Sequence, residues 1–185
     1  MEETNAQRQH ESGIQVNENI VRANIENLKL EQNLGLGIVG GCIGGLLGAI
    51  IWAAITYFTE YQIGWMSIGV GFLVGFGVGT LGKGIDKIFG VVGGVIALAS
   101  VLLGNFLVYI GYLAKAVEVE YFEMLRYFNY SMTLELFKEM FVVMDLLFYA
   151  IAIYAGYRFS FRKVTQEQLL EGAIIPITTT PNQGE

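Results

Sequence analysis

Long uncharged apolar stretches alternate with short polar ones through the middle of the chain. Leu34–Phe58 runs 25 residues without a charge, Ile63–Gly82 runs 20 and Ile88–Leu113 runs 26. Each reaches the ~20 residues that an α-helix, rising ~1.5 Å per residue, needs to cross a hydrocarbon core about 30 Å thick. A fourth stretch, Met140–Tyr157, is 18 residues long and is interrupted by Asp145. The pattern predicts an all-α integral membrane protein with four transmembrane helices, at about 34–58, 63–82, 88–113 and 140–160, inside a transmembrane domain 34–164. A polar amino-terminal tail, 1–33, and a polar carboxyl-terminal tail, 165–185, flank it.

Two polar segments carry helical periodicity. In 14–31, Val21, Ile25 and Leu28 recur on one face while Glu18, Asn19, Arg22 and Glu26 lie elsewhere, which predicts a short amphipathic helix. It has few bases to draw it to anionic lipid, so packing on protein is as good a use for its apolar face as lying on the bilayer. In 114–139, Tyr121, Met124, Leu125 and Phe128 share a face, Asn129-Tyr130-Ser131 reads as a turn and Thr133 as a cap. This helical extramembrane segment either extends helices three and four as a protruding hairpin, the favoured picture, or lies flat on the outer surface. The first dozen residues and everything after about Gly172 read as polar, turn-rich and disordered.

Basic residues give the orientation. Arg8, Arg22, Lys29, Lys83, Lys87, Arg158, Arg162 and Lys163 fall on one side; Lys115, Arg126 and Lys138 fall on the other. Eight against three places both termini in the cytoplasm. Tyr57, Phe58, Tyr61 and Trp65 surround the short turn between helices one and two, where amphipathic rings settle at a membrane–water interface.

Composition narrows the chemistry. The 185 residues are 54% hydrophobic and only 15% charged, with a mean hydropathy of +0.51; an ordinary soluble domain is about 25% charged. A net charge of −6 argues against nucleic acid as a partner. One cysteine, Cys42, reads as a small apolar filler, and one histidine, His10, sits in the polar tail, so no His/Cys metal set and no cofactor is expected. The acidic first 33 residues lack a signal-peptide core.

Eighteen of the 24 glycines fall between Gly35 and Gly94. Gly37, Gly41, Gly44, Gly45 and Gly48 form overlapping four-residue spacings on helix one; Gly71, Gly75 and Gly79 do so on helix two, and Gly90 and Gly94 on helix three. In lipid such spacing lets helix backbones approach closely. The first use for it is packing within the chain. Because helix one carries glycine on more than one face, a homo-oligomer contact is the alternative. Gly35-x-Gly37-x-x-Gly40 and Gly77-x-x-x-x-Gly82-Lys83 imitate nucleotide-binding strings. The first opens a transmembrane helix rather than following a strand, and the second has Gly84 where a magnesium-holding hydroxyl belongs, so no nucleotide is expected.

Asp145 is the residue best placed to act, because a carboxylate at the centre of a span costs about 2.5–3.5 kcal/mol. It sits five residues inside helix four, ~8 Å deep, and Asn105 sits eight residues inside helix three, ~12 Å deep. Their helices run in opposite directions, so the two form a candidate functional pair in one outer layer. The competing reading starts helix four later and leaves Asp145 interfacial. Glu118, Glu120, Glu123, Glu135 and Glu139 would either concentrate cations at an outer vestibule or form a solvated face paired with Lys115, Arg126 and Lys138.

Ala49-Ile-Ile-Trp52, Tyr57-Phe58-Thr59-Glu60-Tyr61-Gln62-Ile63-Gly64-Trp65 and Gly69-x-Gly71-x-x-x-Gly75-Phe76-Gly77-Val78 resemble small glycine-rich, four-helix bacterial inner-membrane proteins of unknown function. The resemblance covers about 80 residues, implies an inner (plasma) membrane location and carries no activity. Some of those proteins have an amino-terminal zinc ribbon, for which this chain lacks paired cysteines. The leading expectation is a structural or accessory membrane subunit whose partners are the lipid bilayer and a second copy or another membrane protein. An oligomeric cation channel or small transporter using the outer acidic site is the alternative. No catalytic set is evident, so an enzyme is not expected.

Overall fold

Asn33 begins the first long helix by a local bond: its side chain accepts from the Leu36 N–H at 3.0 Å, satisfying one of the donors a helix start leaves open. The computed structural model describes residues 14–61, 64–127 and 143–176. Apart from one short ladder, the described chain is helical: β1 Ile14–Val16, α1 Glu18–Leu30, α2 Leu34–Thr59, α3 Met66–Gly82, α4 Lys87–Val117, α5 Tyr121–Tyr127, α6 Val143–Phe159, α7 Gln166–Leu170 and β2 Ile174–Pro176. Among the described residues, α2 and α4 are long and apolar enough to cross a membrane, and α3 is equally apolar at 17 residues.

The chain divides into two compact units, Gln32–Arg162 and the two chain ends, Met1–Glu31 with Lys163–Glu185. In the first, α3 and α4 pack on each other and each is flanked by both α2 and α6. Glycine sets these contacts. A methyl group on Gly40 would strike the Gly77 carbonyl, one on Gly44 the Leu73 carbonyl and one on Gly48 Val70, which seats α2 on α3. Gly41 and Gly45, on the next face of α2, meet Ile96 and Ser100 of α4. Gly71, Gly75 and Gly79 of α3 and Gly90 and Gly94 of α4 face α6 and the residues just after it, and Gly37 rests on Phe89. All ten glycines singled out from the sequence therefore lie against their own chain. The second glycine face of α2, the one that kept a homo-oligomer contact open, is occupied by α4.

Burial is the reverse of an ordinary soluble protein. Leu46 and Ile50 on α2, Phe76 on α3, Val95 on α4 and Leu147 on α6 are exposed, whereas the interior is glycine, alanine, valine and serine around Trp52 and Phe89. Cys42 is exposed rather than an interior filler.

α2, α3 and α4 each stop at a charged residue in the left-handed region, Glu60 (φ 57°), Lys83 (φ 48°) and Glu118 (φ 56°). That conformation costs a non-glycine residue about 1–2 kcal/mol. α4 continues to Val117, past the expected end at 113, and the chain turns at Glu118. α5 packs back on α4, with the Tyr121 hydroxyl donating to the Leu107 carbonyl at 3.3 Å. Residues 128–142, with the Asn129–Ser131 turn, Thr133, Glu135, Lys138 and Glu139, lie outside the described residues.

The second unit corrects the disordered-tail reading at 173–176 alone, since residues 1–12 and 177–185 lie outside the described residues. Ile14↔Pro176, Gln15↔Ile175 and Val16↔Ile174 pair antiparallel, and Asn17 N–H reaches Ala173 O at 2.8 Å. α1 packs on α7, and the Asn24 amide donates to both Leu169 O and Glu171 O at 3.1 Å. Of the expected apolar face, Leu28 is buried and Val21 and Ile25 are half-buried. Ala173 is fully buried. Ala173, Ile174 and Ile175 supply apolar side chains next to the ladder once Gly172, at φ 68°, turns the chain.

Candidate functional site

Thr56, Asn105, Tyr112, Asp145 and Tyr149 lie toward the end of the helical bundle where α2 ends, α4 ends and α6 begins. Asp145 lies in the first turn of α6 and is 6% exposed. The carboxylate is near a helix start and is enclosed by protein. A helix N-terminus carries partial positive charge, which offsets part of the cost of a buried anion. One turn along the same face is Tyr149.

Asn105 of α4 meets Tyr149: its amide donates to the Tyr149 hydroxyl at 3.1 Å. The bond shown for Asn105 is thus to Tyr149, one helical turn from Asp145. The i, i+4 spacing of Asp145 and Tyr149 was the signal that could have found Tyr149. Tyr149 also packs against a buried cluster of Trp52, Val70, Val101, Val108 and Ala152.

α2 contributes Trp52 and Thr56, again four residues apart. Trp52 is 1% and Thr56 4% exposed, and the Gly104 backbone admits the indole ring. The Tyr112 hydroxyl donates to the Thr56 carbonyl at 3.1 Å, tying α4 to α2. The Trp52 indole N–H and the Thr56 hydroxyl are buried without a hydrogen-bond partner. At the rim, Lys115 Nζ lies 2.8 Å from Glu60 Oε1. That hydrogen bond and charge hold the exposed Glu60 carboxyl below its ordinary range. Tyr57, Phe58, Tyr61 and Trp65 are exposed around this end, with Tyr57 edge-on to Phe58 at 5.6 Å.

The opposite end is held by the Gln32 side chain and by main chain. Gln32 Oε1 accepts from Ile85 N at 2.7 Å and Asp86 N at 2.9 Å, its amide donates to Asp86, and Arg162 N donates to Gly84 O at 2.7 Å. Gly35-x-Gly37-x-x-Gly40 lies within α2, where Gly37 and Gly40 are buried by Phe89, Gly77 and Leu81, and Lys83 terminates α3. Neither string forms a loop around a ligand. Among the described residues, no group of three His, Cys, Asp or Glu could hold a metal ion.

No protein-family model, curated protein or solved structure matches the chain.

Proposed function

We propose that the chain is a four-span protein of a bacterial inner membrane that serves as a structural or accessory subunit. The observation that carries this reading is the inverted burial: large aliphatic and aromatic side chains face outward along all four bundle helices, and glycine lines the contacts between them. Water would penalise that surface, whereas lipid solvates it. α3 and α6, at 17 residues each, reach about 26 Å, a shortfall that local bilayer thinning accommodates.

The paired chain ends add an independent argument. β1 precedes the bundle and β2 follows it, and their pairing supports the reading that both ends share one compartment after an even number of crossings. The bias of basic residues makes that compartment the cytoplasm. The end unit leaves Leu30, Ile174 and Ile175 exposed, apolar surface suited to another membrane-associated protein.

A second reading, a cation channel or small transporter, is favoured by one observation, the enclosure of Asp145. The mass of the purified protein in nanodiscs, followed by cation flux in liposomes, separates the two. The accessory reading expects no flux from the chain alone. A defined oligomer with flux that falls in Asp145→Asn would replace it with the second.

A further inference from the structure

Among the described residues, Ser and Thr hydroxyls on the helices donate to a carbonyl three or four residues back, as Ser67 does to Gly64, and Thr56 breaks that habit. Thr59, Thr80, Ser100 and Ser160 each donate to the carbonyl four residues back, at 2.7, 2.5, 2.7 and 2.6 Å. Such a bond satisfies a hydroxyl where no solvent reaches it. Thr56 sits on α2 one turn after Trp52, yet its hydroxyl makes no such bond and has no other partner. The indole N–H of Trp52 is likewise unpartnered, and both residues are more than nine-tenths buried. Two orphaned polar atoms on one face of one helix, one turn apart, are an expensive coincidence in an apolar interior.

A third group completes the set. Tyr112 of α4 packs against the cluster that contains Trp52 and spends its hydroxyl hydrogen on the Thr56 carbonyl, which leaves its oxygen lone pairs able to accept. An indole N–H only donates, a threonine hydroxyl does either, and this tyrosine oxygen accepts. A molecule fitting the three must accept from Trp52, donate to Tyr112 and exchange one bond with Thr56. It must also be small, since Gly104 brings α4 close to the indole ring.

We propose that Trp52, Thr56 and Tyr112 form a binding site for one buried water molecule between α2 and α4. Water has two donors and two acceptors, and buried waters in proteins make about three hydrogen bonds to otherwise unsatisfied groups. The site lies at the same end of the bundle as Asn105 and Tyr149, so this end is held by polar bridges between helices. The proposal rests on the α2–α4 contact alone and stands or falls separately from the accessory and channel readings.

The test is nuclear magnetic resonance of the full chain in micelles, with the tryptophan indole nitrogens labelled and Trp65→Phe introduced so that Trp52 gives the one indole signal. A cross-peak between the Trp52 indole proton and a bound water, lost in Thr56→Val and retained in Thr56→Ser, is the expected result. An indole proton with no water cross-peak, in a chain whose spectrum shows it folded, overturns the proposal. Thermal midpoints give a second readout of opposite sign for the two cases. Thr56→Val lowers the midpoint, by about 2–4 °C, if the hydroxyl holds water, and raises it if the interface is dry, because it then removes an unsatisfied group.

Discussion

The two ends of the helical bundle solve helix packing in opposite ways. At the end where α2 begins, Gly40 and Gly77 put backbone against backbone, Gly93 and Gly156 do the same for α4 and α6, and Ser100 and Ser160 turn their hydroxyls onto their own helices. The polar link there lies at the edge of the bundle, where the Gln32 side chain bonds Asp86 and the Ile85 and Asp86 N–H groups. At the end where α2 finishes, Trp52, Tyr112 and Tyr149 fill the space, and the bonds run between helices, from Asn105 to Tyr149 and from Tyr112 to the Thr56 carbonyl. Glycine contacts leave no volume for chemistry; aromatic contacts leave polar atoms facing one another.

The comparison breaks most visibly at Trp52. Trp52→Ala empties the centre of the aromatic end and should cost about 3–5 kcal/mol, read as reversible unfolding in mixed micelles. Loss confined to that end would leave the α2–α3 glycine contacts protected from backbone hydrogen exchange. Protection lost equally at both ends would mean the bundle is one cooperative unit.

At the glycine end, Gly77→Ala places a methyl on the Gly40 carbonyl and should cost about 1–3 kcal/mol by forcing α2 and α3 apart. Gly69→Ala on the same helix is the control, since a methyl there meets nothing within 4 Å. It should be neutral or stabilising by up to about 1 kcal/mol, from helix propensity alone. Equal losses in both variants would remove the close-approach argument.

The polar bridge is a smaller quantity. A double-mutant cycle on Asn105→Ala and Tyr149→Phe should return a coupling of about 0.6 kcal/mol, the usual size for an interhelical hydrogen bond in a bilayer. No coupling would mean that the shared layer of Asn105 and Tyr149 is incidental to the packing.

The glycine end was legible in the sequence because its rule is periodic: four-residue spacing names both the residues and the face. The paired faces of α2 were legible too, but not their use, since Gly41 and Gly45 look the same whether α4 or a second copy covers them. The aromatic end was half legible. Asp145 and Asn105 stood out as polar residues in apolar runs, whereas nothing in the spacing of Trp52, Tyr112 and Tyr149 showed where their hydrogen-bonding atoms would meet. The ladder between 14–16 and 174–176 was out of reach, because pairing across most of the chain leaves no local signal in three-residue strands. Gln32 was missed for a related reason: its partners, Ile85 and Asp86, are distant in sequence.

The smallest expected effect is at the rim of the aromatic end, where Glu60 and Lys115 join the last residues of α2 and α4. The hydrogen bond and charge of Lys115 lower the Glu60 carboxyl from its ordinary 4.5, so the folded chain binds this proton less readily than the unfolded chain does. The pair's contribution is therefore complete above the ordinary value and is lost as pH falls through the lowered one. Both side chains are more than 60% exposed, so the gain is small and salt screens it. Thermal midpoints of the native chain and of Glu60→Gln, followed from neutral pH down through the carboxylate range, should converge at the acidic end. Raising the salt should shrink their difference at neutral pH. A difference that persists in acid or ignores salt would mean that Glu60 matters for its left-handed backbone at the end of α2, where the side chain's charge plays no part.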